Sequence, residues 1–208
     1  MLAMAVLLGT LLAGCGGGGS GSGDSGAVQR DELAALAPAE LTLKDLAAMR
    51  LPALPDTTDK KSRVRAMYHW VLALAAVQAG EWREALAELG VARSLYEGVA
   101  QQQEDWHARF RNLEAACTYM LDPPGTVQKK FTALESPRAD SVLDVQYEWL
   151  LGLDALRTGD REAALRHLTL VAGTQFPAAT EAQGLLDRLE GPTEPEGTAK
   201  EQGTDTEH

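Results

Sequence analysis

The stretches Tyr68-His69-Trp70-Val71-Leu72-Ala73-Leu74-Ala75-Ala76-Val77-Gln78-Ala79-Gly80-Glu81 and Tyr147-Glu148-Trp149-Leu150-Leu151-Gly152-Leu153-Asp154-Ala155-Leu156-Arg157-Thr158-Gly159-Asp160 decide the fold. Tyr147 lies 79 positions after Tyr68, and the same offset sets Leu72 on Leu151, Leu74 on Leu153, Ala76 on Ala155 and Gly80 on Gly159. Beyond the glycines it continues, with Ala85 on Ala164, Leu86 on Leu165 and Leu89 on Leu168. The two segments are copies of one unit, and an internal repeat of this kind fixes the architecture before any single residue does. In each copy a helix of about four turns ends at a glycine, an acidic residue follows, and a second amphipathic helix begins.

Composition agrees with a helical reading. The chain has 208 residues, 45% of them apolar, which allows a real core in one domain of ordinary size. It contains no isoleucine, and Leu and Ala fill the apolar stretches, a bias toward helix because these residues lose little on entering one. We therefore expect an all-α chain. With 30 acidic and 19 basic residues the net charge is −11, which disfavours long-range attraction to phosphate backbones, so nucleic acid is a poor partner.

The hairpin units resemble the tetratricopeptide repeat (TPR) family. Its small residue in the first helix, glycine at the turn, alanine early in the second helix and further small residue are met by Ala73, Gly80, Ala85 and Ala92, and by Gly152, Gly159, Ala164 and Val171. Pro177 falls near the closing proline of the second copy, while the first copy lacks one. The resemblance implies a short right-handed α-solenoid of about three hairpins over residues 62–190. A repeat of about 34 residues leaves room within the offset for one more unit with an insertion. Residues Gln103 to Leu121 fit its first helix, with Trp106, Phe110, Leu113, Cys117 and Met120 in one stripe. Asp122-Pro123-Pro124-Gly125 makes the turn and Thr126 to Leu134 the shorter second helix. After Pro177, Ala182, Leu185, Leu186 and Leu189 lie on one side of Ala178 to Leu189, a helix expected to cap the stack.

The ends of the chain read differently. Leu2 to Ala13 is an uncharged apolar run, long enough for a signal-peptide core and too short to span a bilayer. It ends in Leu12-Ala13-Gly14-Cys15, which resembles the bacterial lipobox, although no Lys or Arg precedes the run. The resemblance implies removal of residues 1–14 and a diacylglyceryl thioether on Cys15. This covalent lipid is the one non-protein group expected; no metal or other cofactor is. Two or three acyl chains hold a protein at a membrane far more firmly than one. Residues 15–26 carry the lipidated cysteine and a Gly/Ser tether, whose 11 residues from Gly16 span about 17–20 Å. By resemblance to lipoproteins of two-membrane bacteria, Gly16 at the second mature position implies the outer membrane in such a host. Residues 27–58 read as an N-terminal segment, with helices over Ala27 to Leu36 and Leu43 to Arg50, then a loop around Pro52 and Pro55. Thr42 and Asp45 have capping-box spacing. Beyond Gly191 the tail carries five acidic residues and no Leu, Val or aromatic, a composition that cannot order itself, so residues 191–208 are expected to be disordered.

Signs of chemistry are sparse. The four histidines, His69, His107, His167 and His208, have no metal-ligand spacing, and no nucleophile elbow or phosphate-binding loop occurs. The histidines read as surface or partly buried helix residues. We expect no enzyme. Cys117, on the apolar stripe, reads as a buried small hydrophobe rather than a reactive thiol.

The sharper candidates are the repeated tryptophans. In the TPR family the first helix of each unit lines a concave groove. The turn-glycine register then implies a groove of Trp70, Leu74 and Val77, and of Trp149, Leu153 and Leu156. Such a groove would grip a helix or extended peptide of another envelope protein, with Trp as anchor. The alternative is that these residues pack inside the core, because the helix from Ala66 to Ala79 is apolar nearly all round. Beside Trp149, by contrast, Glu148, Asp154 and Arg157 share the helix. The leading expectation is a lipid-anchored bacterial adaptor that binds another envelope protein, with assembly, pilus or secretion machinery offered by analogy alone. The rival is an apolar pocket for a small or lipid-like molecule, lined by Trp70, Trp149, Phe110 and Met120.

Overall fold

The computed structural model describes residues 25–42, 44–46, 49, 60–97 and 104–190. Cys15, the signal segment, the tether as far as residue 24, the loop at Pro52 and Pro55 and the tail from 191 lie outside the described residues, while the last two tether residues, Ser25 and Gly26, belong to the first helix. The described residues are all-α, with no strand among them. The helices are α1 (Ser25–Leu36), α2 (Lys60–Gln78), α3 (Trp82–Glu97), α4 (Glu104–Leu121), α5 (Thr126–Lys130), α6 (Val142–Thr158), α7 (Arg161–Ala172) and α8 (Ala179–Glu190). From α2 onward each helix packs on the next, and α4 and α1 also pack on α6. Among the described residues no helix is long and apolar enough to cross a membrane.

The two copies have matching turns. Gly80 and Gly159 sit at φ 76° and 74°, a left-handed conformation that L side chains rarely adopt. The next amide reaches back in each copy, Glu81 N to Ala76 O at 2.8 Å and Asp160 N to Ala155 O at 2.9 Å, closing the carbonyls left open at the helix end. Gly159 has a second reason to be glycine: a Cβ there would lie 3.0 Å from the Arg30 Cα and closer still to its Cγ, so α1 crosses the turn with little room for a side chain. Gly80 faces open space. Buried positions match too: Trp70 with Trp149, Ala73 with Gly152, Ala85 with Ala164, Leu89 with Leu168, and Ala92 with Val171.

One correspondence was not anticipated. His69 Nδ1 lies 2.6 Å from Glu88 Oε2, joining α2 to α3. In the second copy the positions of His69 and Glu88 fall on Glu148 and His167. Here His167 Nδ1 lies 2.6 Å from Glu148 Oε2, joining α7 to α6. The contact is the same and its partners have changed places. Both pairs span 19 residues, so a shared register of the two hairpins places them.

The middle hairpin is shorter than the sequence indicates. Helix α5 stops at Lys130, not Leu134, and Phe131 turns extended at φ −118°. One helical turn barely repays its nucleation. It is held from outside: Asp154 of α6, wholly buried, accepts from Gly125 N at 2.9 Å and Gln128 N at 3.0 Å. Beyond the turn, Tyr147 Oη donates to Thr132 O at 2.9 Å, drawing that carbonyl away from a helical partner. In α8, Ala182, Leu185, Leu186 and Leu189 are buried as their pattern indicates.

The N-terminal segment makes its expected capping contact, while the helix expected from Leu43 to Arg50 lies partly outside the described residues. Thr42 N and Oγ1 both donate to Asp45 Oδ2 at 2.6 Å, but described residues 44–46 form a turn. The other Asp45 oxygen accepts from Trp149 Nε1 at 2.5 Å. That bond fastens this segment over α6.

Candidate functional site

The open tryptophan groove is corrected by the positions of its six residues. Trp70, Val77, Trp149, Leu153 and Leu156 are buried, and Leu74 is half-buried. Trp70 meets Trp106 and Phe110 edge to face, with ring centroids 5.6 and 5.5 Å away, and Tyr96 closes the cluster from α3. Trp149 lies under Asp45. These rings fill the space between helices, so neither Trp70 nor Trp149 lines an open groove or the expected apolar pocket with Phe110 and Met120.

Nor are the polar neighbours of Trp149 surface groups. Asp154 and Glu148 are buried, and Arg157 is half-buried, donating to the Tyr119 and Asp122 carbonyls that end α4. Polar residues on α6 therefore tie down its neighbours. Their charge in the sequence reads as exposure only because each partner is remote in the chain.

A cleft of about 620 Å³ opens between α3, α4, α5 and the start of α6. Its floor is Phe110, Ala108 and Leu143, and its rim is charged. Arg93 Nη1 pairs with Glu114 Oε2 at 3.1 Å, and Arg138 Nε with Asp144 Oδ2 at 3.1 Å. Arg111 is held otherwise. Its guanidinium stacks 4.0 Å from the Tyr147 ring centroid and shares the Asn112 Oδ1 at 3.3 Å, leaving further N–H groups for a ligand. Burial lowers its pKa, opposed by Tyr147, Asp144 and Glu148. The same burial pushes the Tyr147 hydroxyl up to about 12, against the pull of Arg111. A planar, half-desolvated guanidinium fixed on an aromatic face is preorganised to bind a carboxylate or a backbone carbonyl.

No family model, curated protein or solved structure matches this chain. The assignment of a site therefore rests on geometry alone.

Of the remaining candidates, His167 is buried, not a surface histidine, and its pairing with Glu148 is closed to any substrate. The other Glu148 oxygen, Oε1, is buried without a hydrogen bond. Cys117 is wholly buried, and desolvation, with a smaller contribution from Glu114, raises its thiol pKa to about 12. Among the described residues no group of three His, Cys, Asp or Glu side chains is placed to hold a metal. Sequence reasoning missed both histidine–carboxylate pairs. Their signal was present: at the repeat offset, His faces Glu at one position and Glu faces His at the other.

Proposed function

We propose that this chain is a lipid-anchored, TPR-like adaptor of the bacterial envelope: three hairpins in a short right-handed solenoid, capped by α8, that bind another envelope protein and catalyse no reaction. Removal of residues 1–14 and lipidation at Cys15 would place it at a membrane, the outer one where a host has two. The single observation that carries this reading is the cleft on α4, with an apolar floor, a rim of opposite charges and Arg111 held rigid on Tyr147. Mixed charge around apolar surface is the make-up of a polar rim about a docking core. Tethering multiplies the effect, because a surface held at a membrane meets partners there at high effective concentration.

The cleft is tested in cells. A photoreactive residue in place of Ala108 should cross-link a membrane protein, and Arg111→Ala should abolish the adduct while the helical signal persists. An adduct unchanged by Arg111→Ala, or none, would refute the cleft as the seat. The anchor is tested separately: Cys15→Ser should release the chain from membranes, and retention there would contradict lipidation.

A further inference from the structure

The outer face of α2 carries Val64, Tyr68, Val71 and Ala75, spaced by four, three and four residues and so aligned in one stripe. All four are exposed, Tyr68 by 60%, Val64 by 56% and Val71 by 40%, which is unusual for large apolar groups lined up on one helix. At the repeat offset their counterparts are Leu143, Tyr147, Leu150 and Asp154, and every one is buried.

What covers those counterparts is another helical hairpin of this chain. Asn112 Nδ2 of α4 donates to the Leu143 carbonyl at 2.7 Å, Arg111 of α4 stacks on Tyr147, and the start of α5 donates to Asp154. This face of the unit is therefore a helix-receiving face, filled in the second copy and bare in the first among the described residues. The bare copy is also more apolar, since Ala75 stands where Asp154 caps α5.

Charge says which helix. The chain is acidic overall, yet Lys60, Lys61 and Arg63 open α2 and Arg65 is exposed beside the stripe. We propose that this face docks an amphipathic helix of a partner protein, its apolar side on Val64, Tyr68 and Val71 and its borders acidic toward the cationic end of α2. The proposal stands on a different surface from the α4 cleft and survives its loss.

The test begins with the full chain expressed in cells with p-benzoylphenylalanine in place of Tyr68, adducts being mapped to the cross-linked residue by mass spectrometry. A peptide spanning the mapped segment is then titrated against the purified full chain by fluorescence anisotropy. The mapped segment should be helical with Asp or Glu flanking an apolar stripe. Both Tyr68→Asp and a peptide with those acids changed to Lys should weaken binding by about tenfold or more. The exposed position of Tyr68 should leave the far-UV spectrum and melting of Tyr68→Asp unchanged, and Val71→Ser provides a second, milder variant. Adducts confined to residues 47–59 of the same chain, to a second copy or to lipid would overturn the proposal. So would no adduct, or peptide binding indifferent to either change.

Discussion

Exchanging Glu148 and His167 puts the repeat register under quantitative test. Both side chains are about 5% exposed or less, so neither tolerates a mismatched partner. Glu148→His alone sets imidazole against imidazole, and His167→Glu alone sets two carboxylates together in a dry site. Breaking such a pair from one side costs about 3 kcal/mol or more, because a polar or charged group is left buried and unmatched. The double variant Glu148→His/His167→Glu rebuilds the contact in the sense already used by His69 and Glu88. We expect it to lie within about 1.5 kcal/mol of the native chain, the remainder reflecting imperfect repacking. Urea denaturation followed by far-UV circular dichroism gives all four corners of the cycle. A double variant destabilised by the sum of the two single losses would refute the equivalence of the hairpins. In the first copy, where His69 and Glu88 are 23% and 25% exposed, solvent screens the mismatch and each single exchange should cost about 1 kcal/mol or less.

Three further outcomes follow from burial. Trp149→Ala should lose about 3–5 kcal/mol of stability, through the cavity it leaves and the stranded Asp45 oxygen, and an unchanged urea midpoint would show that the ring is not core. In a Cys15→Ser chain, Cys117 should resist Ellman's reagent at pH 8 until urea is added; rapid labelling of the folded chain would contradict its burial. Its pKa, raised from 9.0 to about 12, also sets a pH dependence. Above pH 9 the unfolded thiol ionises while the folded one keeps its proton, so stability falls with rising pH, at up to about 1.4 kcal/mol per unit until about pH 12. Cys117→Ala should lack this component of the decline, and identical slopes in the two chains would refute it.

The helices were legible in the sequence because their signals are local. Periodic Leu and Ala, the Gly80 and Gly159 turns and the apolar side of α8 each lie within one or two turns of the chain. The groove was not legible, because whether Trp149 faces solvent depends on Asp45, 104 residues away. Asp154 misled for the same reason: a carboxylate amid apolar residues reads as an exposed edge until Gly125 and Gln128 are seen to donate to it. The length of α5 was likewise set by contacts with α6 rather than by its own residues. Tyr68 and Tyr147, identical in sequence, have opposite exposures because one copy has a hairpin packed on its outer face and the other, among the described residues, does not.

One hairpin is used twice in one register, and imidazole nitrogen spectroscopy reads that register directly. In ¹⁵N-labelled full chain, the Nδ1 resonances of His69 and His167 should both carry the signature of a strong hydrogen bond. Glu88→Gln should shift the first alone and Glu148→Gln the second alone. Neither resonance responding, or each answering to the other's partner, would contradict the shared register.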